Sequence, residues 1–201
     1  MTTSFIHRII AIAVLVISFA ANGMAKEPSL IDYNDTEYFT WNIDDNGTLH
    51  VTPLAEATPD FQESPFIKYR KQITSIVFEE DFYNEATLSK IGKNLFKGLD
   101  KVKSVTLPNS IKSVDATVFE GCTSLTSVTI GTGCSVIYAY SFQDTGLQNL
   151  TIYRTKPPTL RQNAFYNVTS LTHIYVPAES VNTYKTAAGW SDYASIITAI
   201  S

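Results

Sequence analysis

Three histidines, an acidic run and two cysteines are the residues of this 201-residue chain whose types could support catalysis or hold a metal ion. A catalytic histidine needs a nucleophile on one side of its ring and an orienting carboxylate on the other. The residues expected beside His173 are Asn149 and Ser127, and neither is an acid. We therefore interpret His173 as a surface residue and predict that the protein is not an enzyme.

Carboxylates and thiols are the remaining candidates for a metal site. Glu79, Glu80 and Asp81 offer the oxygen ligands that Ca²⁺ prefers, but such a run is also typical of a solvated turn, which is the interpretation adopted here. Zinc needs four ligands, and neither Cys122 nor Cys134 has a histidine or a second cysteine at ligand spacing. The sequence also lacks a glycine-rich phosphate loop, so we expect no metal and no other cofactor.

The pairing of the two cysteines is a separate question. Disulfides form in oxidising compartments, so a Cys122–Cys134 bond is one alternative for an exported protein. Both positions face inward in the repeat described below, and a cysteine packs well as a small apolar residue. We predict two buried free thiols and no disulfide.

The charge of the chain argues against a nucleic-acid partner. Its 15 lysines and arginines against 19 acidic residues give a net charge of −4 at neutral pH. Nucleic acid is bound by clustered basic side chains, and this net negative charge gives no reason to expect it as a partner.

Residues 1–25 have the pattern of a secretory signal peptide. Arg8 precedes an apolar run that is shorter than the about 20 residues of a membrane-spanning helix, and Gly23 and Ala25 are small residues suited to signal-peptidase cleavage. An uncleaved membrane anchor is the alternative. Lys26 stands where a lipoprotein would need a cysteine. We expect an exported protein, in the periplasm, on the cell surface or secreted, with no membrane span after cleavage.

An internal repeat organises the rest of the chain and must position any site. Residues 102–124 and 125–146 align position by position, and apolar residues recur at the first, fourth and sixth places of each unit. A period of 20–29 residues with this core is typical of a leucine-rich solenoid. The five unit starts are Ile73, Val102, Leu125, Leu147 and Leu171. Four of the units end on a phenylalanine: Phe96, Phe119, Phe142 and Phe165.

The repeat predicts an α/β solenoid, a leucine-rich-repeat-like right-handed coil with a parallel strand sheet on one face. Each unit contributes one strand to the sheet and returns through a short helix that buries its phenylalanine. Because a single unit cannot bury its apolar face alone, neighbouring units stabilise each other. We assign residues 73–176 to these repeats.

Both ends of the solenoid need covers, since open strand edges invite pairing with other chains. Residues 26–72 are predicted to form an N-terminal β cap, with a hairpin over residues 38–52 around an Asn-Gly turn. Residues 177–201 are predicted to form a helical cap, with a helix over residues 179–188 that Gly189 ends.

In each strand the third and fifth residues of the unit alternate with the buried fourth and sixth residues, so their side chains must face outward. We predict that this outer face binds the partner, with His173 and Tyr175 as aromatic anchors. The alternative is that the threonines are present only because threonine favours strands. Five strands at about 4.8 Å give a sheet only about 19 Å across, so either the N-terminal cap joins the interface or binding is weak. The candidate residues are Ser104, Thr106, Ser127, Thr129, Asn149, Thr151, His173 and Tyr175.

The units resemble the BspA-like leucine-rich repeats of exported proteins from Bacteroides-type bacteria. The resemblance lies in VTLPNSI at 105–111 and VFEGCTSL at 118–125, in WNIDDNGTL at 41–49, and in the closing segment 174–190. It spans about residues 38–201, and it implies surface adhesion or recognition of a protein or glycan partner. A structural or self-assembly module of the cell envelope is the alternative. Residues 131–133, Gly-Thr-Gly, depart from the family's Pro-x-Ser.

Overall fold

A computed structural model describes residues 38–79 and 88–201, and nearly all of the regular structure in these ranges is β. The predicted signal peptide, residues 1–25, lies outside the described residues, as do Glu80 and Asp81 of the acidic run. The strands are β1 (Phe39–Ile43), β2 (Thr48–Pro53), β3 (Ser75–Phe78), β4 (Lys90–Ile91), β5 (Ser104–Leu107), β6 (Ser113–Val114), β7 (Ser127–Ile130), β8 (Val136–Ile137), β9 (Asn149–Ile152), β10 (Thr159–Leu160), β11 (His173–Val176) and β12 (Ile197–Ala199). The helical segments are α1 (Val181–Thr186) and the 3₁₀ turns Ile67–Tyr69, Ala178–Ser180 and Ser191–Ile196.

The larger sheet has eight strands in the order β1-β2-β3-β5-β7-β9-β11-β12. The hairpin β1–β2 is antiparallel, and every other pair is parallel, as expected of strands that are joined by one turn of a coil. The predicted hairpin is confirmed, and its second strand runs parallel to β3 along residues Thr48 to Val51. The hairpin therefore continues the sheet beyond the first repeat.

The predicted alternation of buried and outward side chains is confirmed in the repeats. In β5, Val105 and Leu107 are buried, whereas Ser104 and Thr106 are exposed. The strands β7, β9 and β11 follow the same pattern, because successive side chains of a strand point to opposite faces of a sheet. The solenoid fold with a parallel sheet on one face is thus established.

The predicted short helix after each strand is wrong, since these segments are turns. Two places in each coil have left-handed backbone, and a left-handed residue cannot continue a right-handed helix. One place recurs every 23 residues at Asn94, Thr117, Tyr140 and Asn163, and the other at Gly98, Gly121, Asp144 and Asn167.

The backbone groups of these turns form hydrogen bonds both within a coil and between coils. Within a coil, the N–H of Cys122 donates to the carbonyl of Phe119 at 3.1 Å. The N–H of Phe119 donates to the carbonyl of Ser141 at 2.9 Å, and the N–H of Phe96 donates to the carbonyl of Val118 at 3.1 Å. A second, four-stranded sheet in the order β10-β8-β6-β4, which the sequence does not predict, also links the coils. Each coil is therefore bonded to its neighbours on several sides.

A column of stacked phenylalanine rings runs through the core. Phe119 stacks on Phe96 at 5.6 Å between ring centroids and on Phe142 at 5.5 Å, and Phe142 stacks on Phe165 at 5.6 Å. Phe66 extends the column toward the N-terminal cap, 5.9 Å from Phe96. The four phenylalanines that the repeat pattern singles out are all buried, as predicted.

The C-terminal cap contains a helix shorter than predicted and a strand that was not predicted. The helix α1 ends at Thr186 because Ala187 is extended, and Gly189 has a φ of +79°. Beyond it, β12 pairs in parallel with β11, so the sheet gains an eighth strand. None of the described helices is long and apolar enough to cross a bilayer.

Two large side chains of the cap are anchored to the preceding coil. Trp190 is fully buried, and its Nε1–H donates to the carbonyl of Pro158 at 2.7 Å. The hydroxyl of Tyr184 donates to the carbonyl of Arg154 at 2.7 Å. Burial raises the pKa of Tyr184, so this hydroxyl remains a donor.

The Gly-Thr-Gly departure from the family pattern has a packing reason. A methyl group on Gly133 would collide with the carbonyl oxygen of Asn109, and one on Gly131 would lie 2.6 Å from Asn109 Oδ1. That oxygen accepts the N–H of Thr132 at 2.9 Å. The two glycines therefore let this turn approach the asparagine of the preceding coil.

Candidate functional site: the outer strand face

The structure brings all eight predicted binding residues together on one face of the larger sheet. They form two straight rows, because the four central strands pair without any shift in register. The first row is Ser104, Ser127, Asn149 and His173, and the second is Thr106, Thr129, Thr151 and Tyr175.

None of these eight side chains is buried. Ser104, Thr106 and His173 are exposed, and the other five are half-buried by their neighbours across the strands. Most of these side chains are thus small hydroxyl groups, which donate and accept hydrogen bonds without carrying charge. A partner with exposed backbone or polar side chains could be matched here without desolvating an ion.

The aromatic residues lie at the C-terminal end of the two rows. The rings of His173 and Tyr175 are stacked, with 5.6 Å between centroids and 5° between planes. The hydroxyl of Thr172 is 3.0 Å from His173 Nδ1. Stacking holds both rings in place before any partner arrives, and Tyr175 still offers a hydroxyl at its tip. This pair is the largest apolar feature within the two rows.

The outer face is wider than the sequence predicts. Thr48 and His50 of β2 continue the two rows beside Ser75 and Val77, and Thr198 of β12 lies beside Tyr175. Eight strands at about 4.8 Å make the sheet about 34 Å across, so the estimate of about 19 Å is wrong. That estimate counts only the strands of the five repeat units, and the cap strands lie outside these units.

The N-terminal end of the face holds a histidine between two carboxylates. His50 Nδ1 is 2.7 Å from Glu79 Oε1, and His50 Nε2 is 3.5 Å from Asp44 Oδ2. A catalytic triad needs a nucleophile at the second ring nitrogen, and here that nitrogen faces a second acid. The cluster therefore has the geometry of an ion pair that ties the hairpin to the first coil, formed when the ring is protonated.

Asp44 is held in its ionised form by the hairpin turn. Partial burial acts to raise its pKa, but the N–H groups of Thr48 and Asn46, which donate to its carboxylate at 2.8 and 2.9 Å, lower it below the ordinary value. The sequence shows Glu79 only as part of an acidic run, and its contact with a histidine 29 residues away has no local signal. Within residues 38–79 and 88–201, no group of three or more histidine, cysteine or acidic side chains is placed to hold a metal ion.

Both cysteines are buried in the structure as free thiols. Cys122 Sγ is 3.2 Å from the carbonyl oxygen of Phe96, and Cys134 Sγ is 3.4 Å from that of Val136. Burial raises the pKa of Cys122 to about 12 and that of Cys134 to about 11. Because the thiolate is the reactive form, neither side chain should act as a nucleophile near neutral pH.

The absence of a disulfide stays a prediction with a direct test. We expect Cys122 and Cys134 to resist a thiol reagent in the native protein, because burial blocks access and keeps the thiols protonated. Both should react after denaturation without a reductant, which mass spectrometry of the labelled chain would show. Labelling that appears only after a reductant is added would establish the disulfide instead.

The parallel sheet, the stacked coils and the capped ends define a leucine-rich-repeat solenoid. The family described as BspA type leucine rich repeat region matches residues 63–190 in six copies, which is more than half of the chain. The chain belongs to this family.

Two solved structures are similar to the chain. A leucine-rich repeat protein from Eubacterium ventriosum is 18% identical with a TM-score of 0.55, and the match covers 74% of this chain and 44% of that one. A leucine rich cell surface protein from Faecalibacterium prausnitzii is 14% identical with a TM-score of 0.44, and the match covers 74% and 55%. The chain thus spans about half the length of these structures. None of the curated proteins compared with the chain matches it.

Proposed function

We propose that the protein is an exported, non-enzymatic module that binds a protein partner through the outer strand face. The observation that supports this most is the stacked His173–Tyr175 pair at the end of two in-register rows of small polar side chains. Membership of a BspA-type leucine-rich repeat family makes binding or adhesion the expected kind of role. Protein interfaces usually combine a few aromatic anchor residues with surrounding polar side chains that form hydrogen bonds.

The dimensions of the face limit what it can do alone. Strands of four residues extend about 13 Å, so a sheet about 34 Å across presents roughly 450 Å². A standard interface takes about 800 Å² from each partner. The partner should therefore also contact the loops at the strand ends, where Tyr153 directly follows β9 and is 48% exposed.

A self-assembly role is the second candidate, and the C-terminal edge of the sheet favours it. β12 is the terminal strand, no further described strand pairs with its outer edge, and Thr198 and Ala199 are exposed. Such an edge can pair with a strand of another chain. Self-assembly requires the mass measured by sedimentation to rise with protein concentration, whereas the proposed function does not.

The proposed face predicts a loss of affinity when its anchors are removed. A partner is first captured on the immobilised mature protein from envelope extracts of Bacteroides-type bacteria, purified, and titrated calorimetrically. His173→Ala combined with Tyr175→Ala should lower the affinity for this partner at least tenfold, about 1.4 kcal/mol. Folding should be unchanged because neither side chain is in the core. Tyr138→Ala is the matched control, since that ring is 39% exposed but follows β8 of the smaller sheet, and it should have no effect.

A second pair of variants tests the centre of the same face. Thr106→Lys and Thr129→Lys place like charges on directly paired positions of β5 and β7. The long lysine side chains also cover the centre of the outer strand face. Binding should be lost. Affinity that survives both the alanine and the lysine pairs would show that the outer strand face is not the binding surface.

A further inference from the structure

Two tyrosines form an exposed aromatic pair on the turn side of the solenoid, away from the outer strand face. The tyrosine pair consists of Tyr140, which is 38% exposed, and Tyr166, which is 54% exposed. Their centroids are 6.1 Å apart, with an edge-to-face angle of 73°. Neither ring is in the core, so packing of the repeat does not account for them.

Tyr140 occupies a backbone conformation that disfavours its side chain. Its φ is +61°, and the equivalent places one coil before and after it are Thr117 at +60° and Asn163 at +63°. Asparagine tolerates this conformation, whereas a bulky residue there is strained. Because Thr117 has the same conformation, the repeating turn imposes the strain, and Tyr140 differs from the equivalent residues by its exposed aromatic ring.

Polar side chains on the same turns as the tyrosine pair are already oriented by hydrogen bonds. Asn163 Nδ2 donates to the hydroxyl of Tyr140 at 3.0 Å. The carboxylate of Asp144 accepts Asn167 Nδ2 at 2.6 Å and Gln143 Nε2 at 3.0 Å. These two amides lower the pKa of Asp144, which keeps its carboxylate an acceptor. The patch thus combines two ring surfaces with fixed donors and acceptors.

The same positions in the preceding coils have a different chemistry. Lys97 and Glu120, at the places equivalent to Gln143 and Tyr166, form an ion pair at 2.9 Å. At this place in the later coils neutral groups therefore replace a pair of full charges, while the Asp144 carboxylate beside them keeps its charge. The replacement argues for a ligand that is recognised by ring contact and by hydrogen bonds to the amides and to this carboxylate.

We infer that the tyrosine pair and the amides around it bind a neutral sugar chain. The C–H face of a pyranose ring packs on an aromatic ring, and its hydroxyls can bond Asp144, Asn163 and Asn167. The exposed ring area is roughly 200 Å², since a tyrosine has about 150–250 Å², which is far less than the about 800 Å² that a protein partner needs. The site is separate from the outer strand face and does not depend on it.

The test uses short neutral oligosaccharides of glucose, mannose, galactose and xylose, first on an array and then by calorimetry with the best-bound member. The mature protein should bind at least one of them. Tyr140→Asn and Tyr166→Ala should each weaken that binding about tenfold or more. Tyr140→Asn should also raise the melting temperature, because asparagine occupies the equivalent places at 94 and 163, so lost binding would not reflect unfolding.

Thr117→Asn is the matched control. It relieves the same backbone strain one coil earlier without removing a ring, so it should raise the melting temperature and leave sugar binding unchanged. The double variant His173→Ala/Tyr175→Ala should also leave sugar binding unchanged. This result would show that the sugar site is independent of the outer strand face. Three outcomes would overturn the inference: no neutral oligosaccharide bound, only charged glycans bound, or affinity retained in both tyrosine variants.

Discussion

Phe119→Ala is expected to lower the free energy of unfolding by about 3–5 kcal/mol, the range for removing a fully buried ring. The ring lies at the middle of the phenylalanine column, with Phe96 on one side and Phe142 on the other. Its loss would leave a cavity that the neighbouring coils cannot close, because both are fixed by two sheets and by hydrogen bonds between turns. Denaturant titration followed by circular dichroism measures the change.

Tyr166→Ala is the control for this experiment. It also deletes an aromatic ring from a coil, but that ring is 54% exposed, so the change in stability should stay within about 0.5 kcal/mol. A loss below about 1 kcal/mol for Phe119→Ala would contradict the stacking of the coils. Trp41 in the hairpin and Trp190 in the C-terminal cap are both buried, so their fluorescence reports whether the two ends unfold together.

Trp190→Ala is expected to destabilise the protein by a similar amount, about 3–5 kcal/mol. Trp190 closes the C-terminal end of the core, with its ring 5.4 Å from Tyr184 and 6.5 Å from Phe165. The substitution also leaves the carbonyl of Pro158 without the indole N–H that it accepts. The same denaturant titration applies, and amide hydrogen exchange should accelerate in β11 and β12 before it does in β1.

Trp190→Phe separates the two contributions of the tryptophan. It keeps an aromatic ring in the core and removes only the hydrogen bond and part of the area, so it should cost clearly less than the alanine variant. Equal stability of Trp190→Ala and the wild type, or faster exchange throughout the chain without a gradient from this end, would show that residues 177–201 do not cap the solenoid.

Most of the fold was readable from the sequence because the repeat reports burial directly. The inward face is predicted from the apolar positions of β5, β7, β9 and β11 and from the phenylalanines that end the units. The hairpin is predicted from the Asn-Gly turn. The sequence predicts helices in place of these turns because left-handed residues are recognisable only where they are glycine or asparagine. Thr117 and Tyr140 give no such signal by themselves.

Short and non-local features were missed for physical reasons. The strands of the smaller sheet have two residues each, which is too few to show an alternation of apolar and polar residues. β12 has only one buried apolar residue, Ile197, and the sequence alone does not distinguish it from the apolar residues of the predicted helical cap. The two binding rows were predictable because they follow from strand alternation alone. The contact between His50 and Glu79 was not, because it exists only once the hairpin docks on the first coil.

The claim that the outer strand face is the binding surface is tested most directly by oxidative footprinting of the captured complex. Hydroxyl radicals oxidise exposed histidine and tyrosine side chains, and mass spectrometry measures the rate at each. With the partner at saturation, we predict that oxidation of His173 and Tyr175 falls sharply while that of Tyr166, on the turn side, stays unchanged. Unchanged oxidation of His173 and Tyr175, with protection elsewhere on the solenoid, would contradict the proposal.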